Sequence, residues 1–134
     1  MNPDYSPGWM KAVLVAAGLY NILWGGLVMA WPRQLLAMAG MAPATYPQFL
    51  QCIGMAILVF GIAYLAASRD PLRHFPVLLA GLVGRILGPV GFLIGALDGS
   101  FPWVAGLTIL TNDIIWLPPF AVMTWRAFQL ARRA

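Results

Sequence analysis

A chain of 134 residues with 61% hydrophobic and only 9% charged side chains has too little polar surface for a soluble globule, and its mean hydropathy of +0.80 points to an integral membrane protein. The net charge of +4 comes from basic residues scattered between apolar runs, which excludes a nucleic-acid patch. A single cysteine, Cys52, excludes an intramolecular disulfide, a Cys-x-x-Cys pair and a cysteine-rich metal site.

The length implies one domain over residues 1–134. Residues 1–8 read as a short polar tail. The first span is expected over 9–31, stopped by Pro32. It is too long for the apolar core of a signal peptide, and no cleavage site follows it. Gly18, Asn21, Gly25 and Val28 share one stripe of this span. Residues 33–47 connect, with RQLLAMAGM able to form a short surface helix. The second span is expected over 48–67, with Gln51, Gly54, Leu58 and Gly61 on one face. A tight polar loop follows, in which Asp70 is the expected helix cap and Pro71 the first helical residue.

The third span, 72–97, contains the stretch VLLAGLVGRILGPVGFLIGA with Arg85 at its centre. A guanidinium at that depth costs ~3 kcal/mol or more if it faces lipid, so it is expected to face protein or water. Gly81, Gly84, Gly88, Gly91 and Gly95 are spaced three, four, three and four, which predicts a helix-packing seam. Pro89 removes the amide that would bond the Arg85 carbonyl, predicting a kink and a free acceptor. Asp98-Gly99-Ser100 makes the next turn. The fourth span is expected over 102–125, bent by Pro118 and Pro119, which leave the carbonyls of Ile114 and Ile115 without helical donors. The whole reads as an all-α, up-down-up-down transmembrane four-helix bundle.

Lys11, Arg69, Arg73, Arg126, Arg132 and Arg133 fall on one side of such a bundle and Arg33 alone on the other. That bias predicts both termini and the middle loop in the cytoplasm. Trp9 and Trp125 would then sit at the inner interface, and Trp31 and Trp103 at the outer one.

Arg85 lies thirteen residues before Asp98, and Asp113 eleven after Pro102. At 1.5 Å per residue both lie about 16–20 Å from the same turn, which predicts an Arg85–Asp113 ion pair. Asn112, Thr108 and Thr111 flank Asp113, while Asn21 and Gln51 come from the small-residue faces of the first two spans. Two readings stand side by side. The pair locks two helices in register, or it forms the polar head of a binding site walled by Trp24 and Trp116. Catalysis would need a nucleophile, a metal cluster or a tunable acid and base at one place. With Cys52 and His74 near opposite ends and Asp113 held ionised by Arg85, binding is the stronger expectation. His74 is read as interfacial, a bis-His haem has no second histidine, and Met29, Met38 and Met41 are read as packing.

The strings PLRHFPVLLAGLVGRILGPVGF and LTNDIIW resemble a set of small four-span bacterial membrane proteins, with the likeness running from Gly18 onward. Some of those proteins carry the label alkyl hydroperoxide reductase, a chemistry that needs a reactive cysteine and normally a resolving partner. Cys52 alone inside a span does not meet that need. In size and span count the chain is also similar to DoxX-like proteins of membrane oxidoreductase complexes. These readings imply an accessory subunit of a membrane complex, or a homo-oligomer, or a binder of a lipid-like or quinone-like molecule. The alternative is a DoxX-like part in quinone-linked redox chemistry. A small multidrug transporter fits less well, since that family relies on a first-span glutamate and this chain contains no glutamate. No metal and no cofactor beyond a bound lipid or quinone is expected.

Overall fold

Prolines set most of the element boundaries. In the computed structural model, which describes residues 5–133, helix α1 (Gly8–Ala30) begins after Pro7 and ends before Pro32. Trp31, the residue ahead of that proline, leaves the helical region at φ −132° and ψ 54°. Pro32 opens the short α2 (Pro32–Met38), and Pro47 opens α3 (Pro47–Ala67). Proline serves well there because its missing N–H has no partner in a first turn anyway. Helix α4 (Phe75–Leu97) runs unbroken through Pro89. The chain then passes through a 3₁₀ turn (Trp103–Ala105), α5 (Gly106–Asn112), a second 3₁₀ turn (Ile114–Trp116) and α6 (Leu117–Ala131). Of the expected tail, residues 1–4 lie outside the described residues.

The molecule is an all-helical four-helix bundle, with no strand among the described residues. Four segments are long and apolar enough to cross a membrane: Gly8–Ala30, Pro47–Ala67, Phe75–Leu97 and Trp103–Ala131. Trp9, Trp31, Trp103 and Trp125 all turn outward near the ends of these segments.

The start of the third span differs from expectation. Asp70 makes no side-chain cap; a single 3₁₀ turn (Pro71–Arg73) intervenes, and α4 starts four residues later than Pro71. Asp70 instead accepts a hydrogen bond from Ser6 Oγ at 3.1 Å and pairs with Arg73 Nε at 3.1 Å. The Leu72 amide also donates to Ser6 Oγ, at 3.4 Å. These bonds fasten the N-terminal end of α1 to the loop between α3 and α4. At the opposite end Gly99 takes φ +82°, a conformation that L side chains rarely adopt, to close the turn after α4. There the Ser100 hydroxyl and amide donate to the Asp98 carboxylate and hold its pKa below the usual value.

Helix α1 packs along α3, α4 packs on α6, and α3 and α4 touch only sparsely. The α1–α3 contact is backbone against backbone. A Cβ on Gly61 would stand 2.7 Å from the Gly18 carbonyl oxygen, and one on Gly25 would stand 2.5 Å from that of Gly54. The reciprocal positions are equally tight, at 2.9 Å for Gly18 and 2.8 Å for Gly54. Gln51 reinforces this pair, donating from Nε2 to the Met29 carbonyl at 2.9 Å.

The seam expected on α4 divides differently. Gly81, Gly88 and Gly95 meet neighbours: Tyr64 and Phe120, Asp113, and Phe101 respectively. Around Gly84 and Gly91 the space is open. A period of seven is therefore packed, and the two glycines between its members are not. The closely packed core lies at the end where Ser6 meets the loop, and includes Met10, Leu14, Tyr64, Leu78, Phe120 and Met123.

Gly25→Ala and Gly54→Ala each force backbone apart and should destabilise the detergent-solubilised protein by about 1–3 kcal/mol. Gly91→Ala should be neutral or slightly stabilising, because it adds a helix-favouring side chain to open space. Thermal unfolding followed by circular dichroism measures the contrast. Equal losses at all three positions would contradict the assigned seam.

Candidate functional site

The fourth span is not one helix, and the candidate site is built at its break. Pro118 and Pro119 occupy the first turn of α6, so the helix restarts there instead of bending through them. Upstream, α5 ends at Asn112, and Asp113 takes φ −121° and ψ −58°. The Trp116 amide turns to the Asp113 carbonyl at 3.1 Å, so the Asn112 carbonyl loses the donor that an uninterrupted helix would supply. Arg85 fills the gap, donating from Nη1 to the Asn112 carbonyl at 2.5 Å. Trp116 Nε1 donates to the neighbouring Thr111 carbonyl at 3.0 Å.

The predicted Arg85–Asp113 ion pair is not formed. Among the described residues the ion pair present is Arg73–Asp70. The depth match holds, since Asp113 lies one helical turn from Arg85: its Oδ2 would be 2.5 Å from a Cβ on Gly88. The guanidinium, however, is aimed at a backbone carbonyl freed by the break. A carbonyl without its helical donor needs another one, and here the Arg85 side chain supplies it.

Aromatic rings hold the cation in place. The Arg85 Cζ lies 4.5 Å from the Phe120 ring centroid, 5.5 Å from that of Trp116 and 5.6 Å from that of Tyr64. These distances are within reach of cation–π attraction, which grows as the cation is desolvated. Arg85 is only 4% exposed, and its Nε and Nη2 have no hydrogen-bond partner among the described residues.

Above this cage the sparse contact between α3 and α4 leaves a cleft of about 450 Å³. Ile53, Ile57 and Phe60 form the α3 wall, and Ala80 and Gly84 the α4 wall. Arg85, Asn21, Trp24, Asn112 and Asp113 also line it, so five of the polar-core residues expected from sequence meet in one place. Trp116 stands on the cation beside them. Gln51 is elsewhere, bonded to α1. Thr108 and Thr111 bond carbonyls of their own segment. His74 is the residue just before α4, its Nδ1 turned back to 2.8 Å from the Asp70 carbonyl oxygen. No group of three or more potential metal ligands occurs among the described residues.

Three residues were not anticipated. Tyr20 donates its hydroxyl to Asn112 Oδ1 at 2.5 Å and packs against Trp116 at 5.8 Å between centroids. Tyr64 and Phe120 form the base of the cation cage. A signal existed for the tyrosines, since a hydroxyl within a span must find a polar partner. Phe120 offers no such signal. The chain matches no family model, no curated protein and no solved structure.

Arg85→Leu should lower stability by about 1–3 kcal/mol, by leaving the Asn112 carbonyl unsatisfied in the bundle. Asp113→Asn, which breaks no ion pair, should cost less than about 1 kcal/mol. Equal large losses from both variants, recovered in the double variant, would instead restore the ion pair. Denaturation in mixed detergent–urea solutions distinguishes the two results.

Proposed function

We propose that the cleft between α3 and α4 binds an amphipathic, lipid-like or quinone-like molecule, whose polar end meets the Arg85, Asn112 and Asp113 group while its body lies among the helices. One observation carries this reading: an apolar cleft of about 450 Å³ is lined by a buried guanidinium whose Nε and Nη2 have no acceptor among the described residues. Apolar walls converging on a few placed polar groups are the usual form of a small-molecule site.

The test uses Gly84, which lines the cleft and has open space around it. Gly84→Leu puts a side chain into the cleft, with its Cβ in open space, and adds a better helix former. Protein purified in mild detergent should retain a stoichiometric small molecule by mass spectrometry, and Gly84→Leu should lose it while remaining at least as stable. A wild-type protein that retains nothing, or a variant that retains as much, would overturn the binding reading.

A second reading has its own observation. Arg85 already bonds the Asn112 carbonyl, so the polar group also serves as a bracket holding the broken span, as an accessory subunit of a larger complex would need. A DoxX-like part in quinone-linked redox chemistry would share the binding step and draw electron transfer from a partner. Co-purification of a redox protein with the native chain favours that alternative over simple binding.

The proposed setting is the inner membrane of a bacterium, with both termini cytoplasmic. The bonds from Ser6 to Asp70 and Leu72 place the N-terminal end of α1 beside the loop carrying Arg69 and Arg73. A C-terminal reporter active only in the cytoplasm should therefore report strongly, and an export-dependent one should stay silent. The reverse pattern would invert the orientation.

A further inference from the structure

Thr124 carries a second polar atom with no partner. It lies in α6, is 6% exposed, and its Oγ1 has no hydrogen-bond partner among the described residues. A threonine hydroxyl within a helix ordinarily returns to the carbonyl three or four residues back; Thr124 does not. It lines a separate groove of about 300 Å³ between α4 and α6, whose other walls include Phe75, Leu79, Leu82, Ala121 and Trp125.

This groove has a direction. Ala121, Trp125, Phe128 and Arg132 follow one another at four, three and four residues, so a single stripe of α6 leads from the groove to a cation. Arg132 does not extend away from the helix; its Cζ sits 5.6 Å from the Phe128 ring centroid. The guanidinium thus stands near the level of Phe128, four residues or about 6 Å along the helix from Thr124. Along the groove come the apolar walls of Leu82 and Ala121, then the Thr124 hydroxyl lacking an acceptor, then Phe128 with the Arg132 guanidinium beside it. The same end of the bundle carries Arg126 and Arg133, and clustered basic residues beside a span attract anionic headgroups.

We propose that this groove holds one acyl chain of an anionic glycerophospholipid, with the Thr124 hydroxyl donating to its ester carbonyl and Arg132 facing its phosphate. The order of groups matches such a lipid: hydrocarbon in the trough, an ester oxygen at Thr124, and a phosphate beyond it by about the length of a glycerol unit. A free inorganic anion would leave the trough and Thr124 unused. A second copy of the chain would supply no phosphate to Arg132.

The test uses the full-length protein in mixed micelles and three lipids: diester phosphatidylglycerol, its diether analogue, which lacks ester carbonyls, and diester phosphatidylcholine. Retention is read by native mass spectrometry. Wild type should retain the diester phosphatidylglycerol about fivefold better than the diether, as for one net hydrogen bond, and better than the phosphatidylcholine. Thr124→Val should abolish the ester-over-ether preference. It should leave lipid-free thermal stability unchanged or higher, because it removes an unpaired buried hydroxyl without changing the side-chain shape much. Arg132→Gln should abolish the preference for phosphatidylglycerol over phosphatidylcholine and keep the ester preference. Wild type lacking either preference, or a variant that keeps the preference its side chain is assigned, overturns the proposal.

Discussion

Two adjacent prolines cannot donate backbone hydrogen bonds, and in the fourth span that deficit dictates the rest of the site. Pro118 and Pro119 sit in the first turn of α6, where their missing amides cost least, and α5 ends ahead of that turn at Asn112. The break leaves carbonyls that water would satisfy on a soluble protein but that the bundle must satisfy itself. Arg85 and Trp116 supply those donors. A cation that would be costly in hydrocarbon is thereby held by one backbone acceptor and three aromatic faces.

The cleft follows from unequal packing. Glycine pairs bring α1 and α3 to backbone contact, and α4 is drawn to α6 by Leu78, Phe120 and Met123. Each helix of the α3–α4 pair is committed elsewhere. Tyr64 and Phe120 close the space between them at one end, against Gly81. Around Arg85 the space between them stays open, and Gly84 lines it without a side chain.

Much of this was legible in the residues. Long apolar runs punctuated by Pro32, Pro47 and Asp98-Gly99-Ser100 set the four spans, although the fourth runs on to Ala131, past the expected end at residue 125. Arg85, Asp113, Asn112, Asn21 and Trp24 were identifiable as costly or interfacial groups expected to converge, and the cleft brings them together. The partner of Arg85 was not legible, because a backbone carbonyl acquires a need for a donor only once the helix breaks, and every residue has a carbonyl. The glycine pattern misled for a related reason. Spacing places Gly84 and Gly91 on the same broad face as Gly81, Gly88 and Gly95, but only tertiary packing decides which of them a neighbour reaches. The α1–α3 seam was written as plainly in Gly18, Gly25, Gly54 and Gly61, and it is the tighter one.

The central claim is that the Arg85 guanidinium bonds the Asn112 carbonyl and not the Asp113 carboxylate. Dipolar-recoupling solid-state NMR on bilayer-reconstituted protein can measure it directly, with ¹⁵N in the Arg85 guanidinium and ¹³C in the Asn112 carbonyl or the Asp113 carboxyl. The N–O separation of 2.5 Å and a carbonyl bond of ~1.2 Å predict an Arg85–Asn112 N–C distance of about 3–4 Å, with the distance to the Asp113 carboxyl carbon longer. A short distance to Asp113 with no measurable coupling to Asn112 would contradict the account.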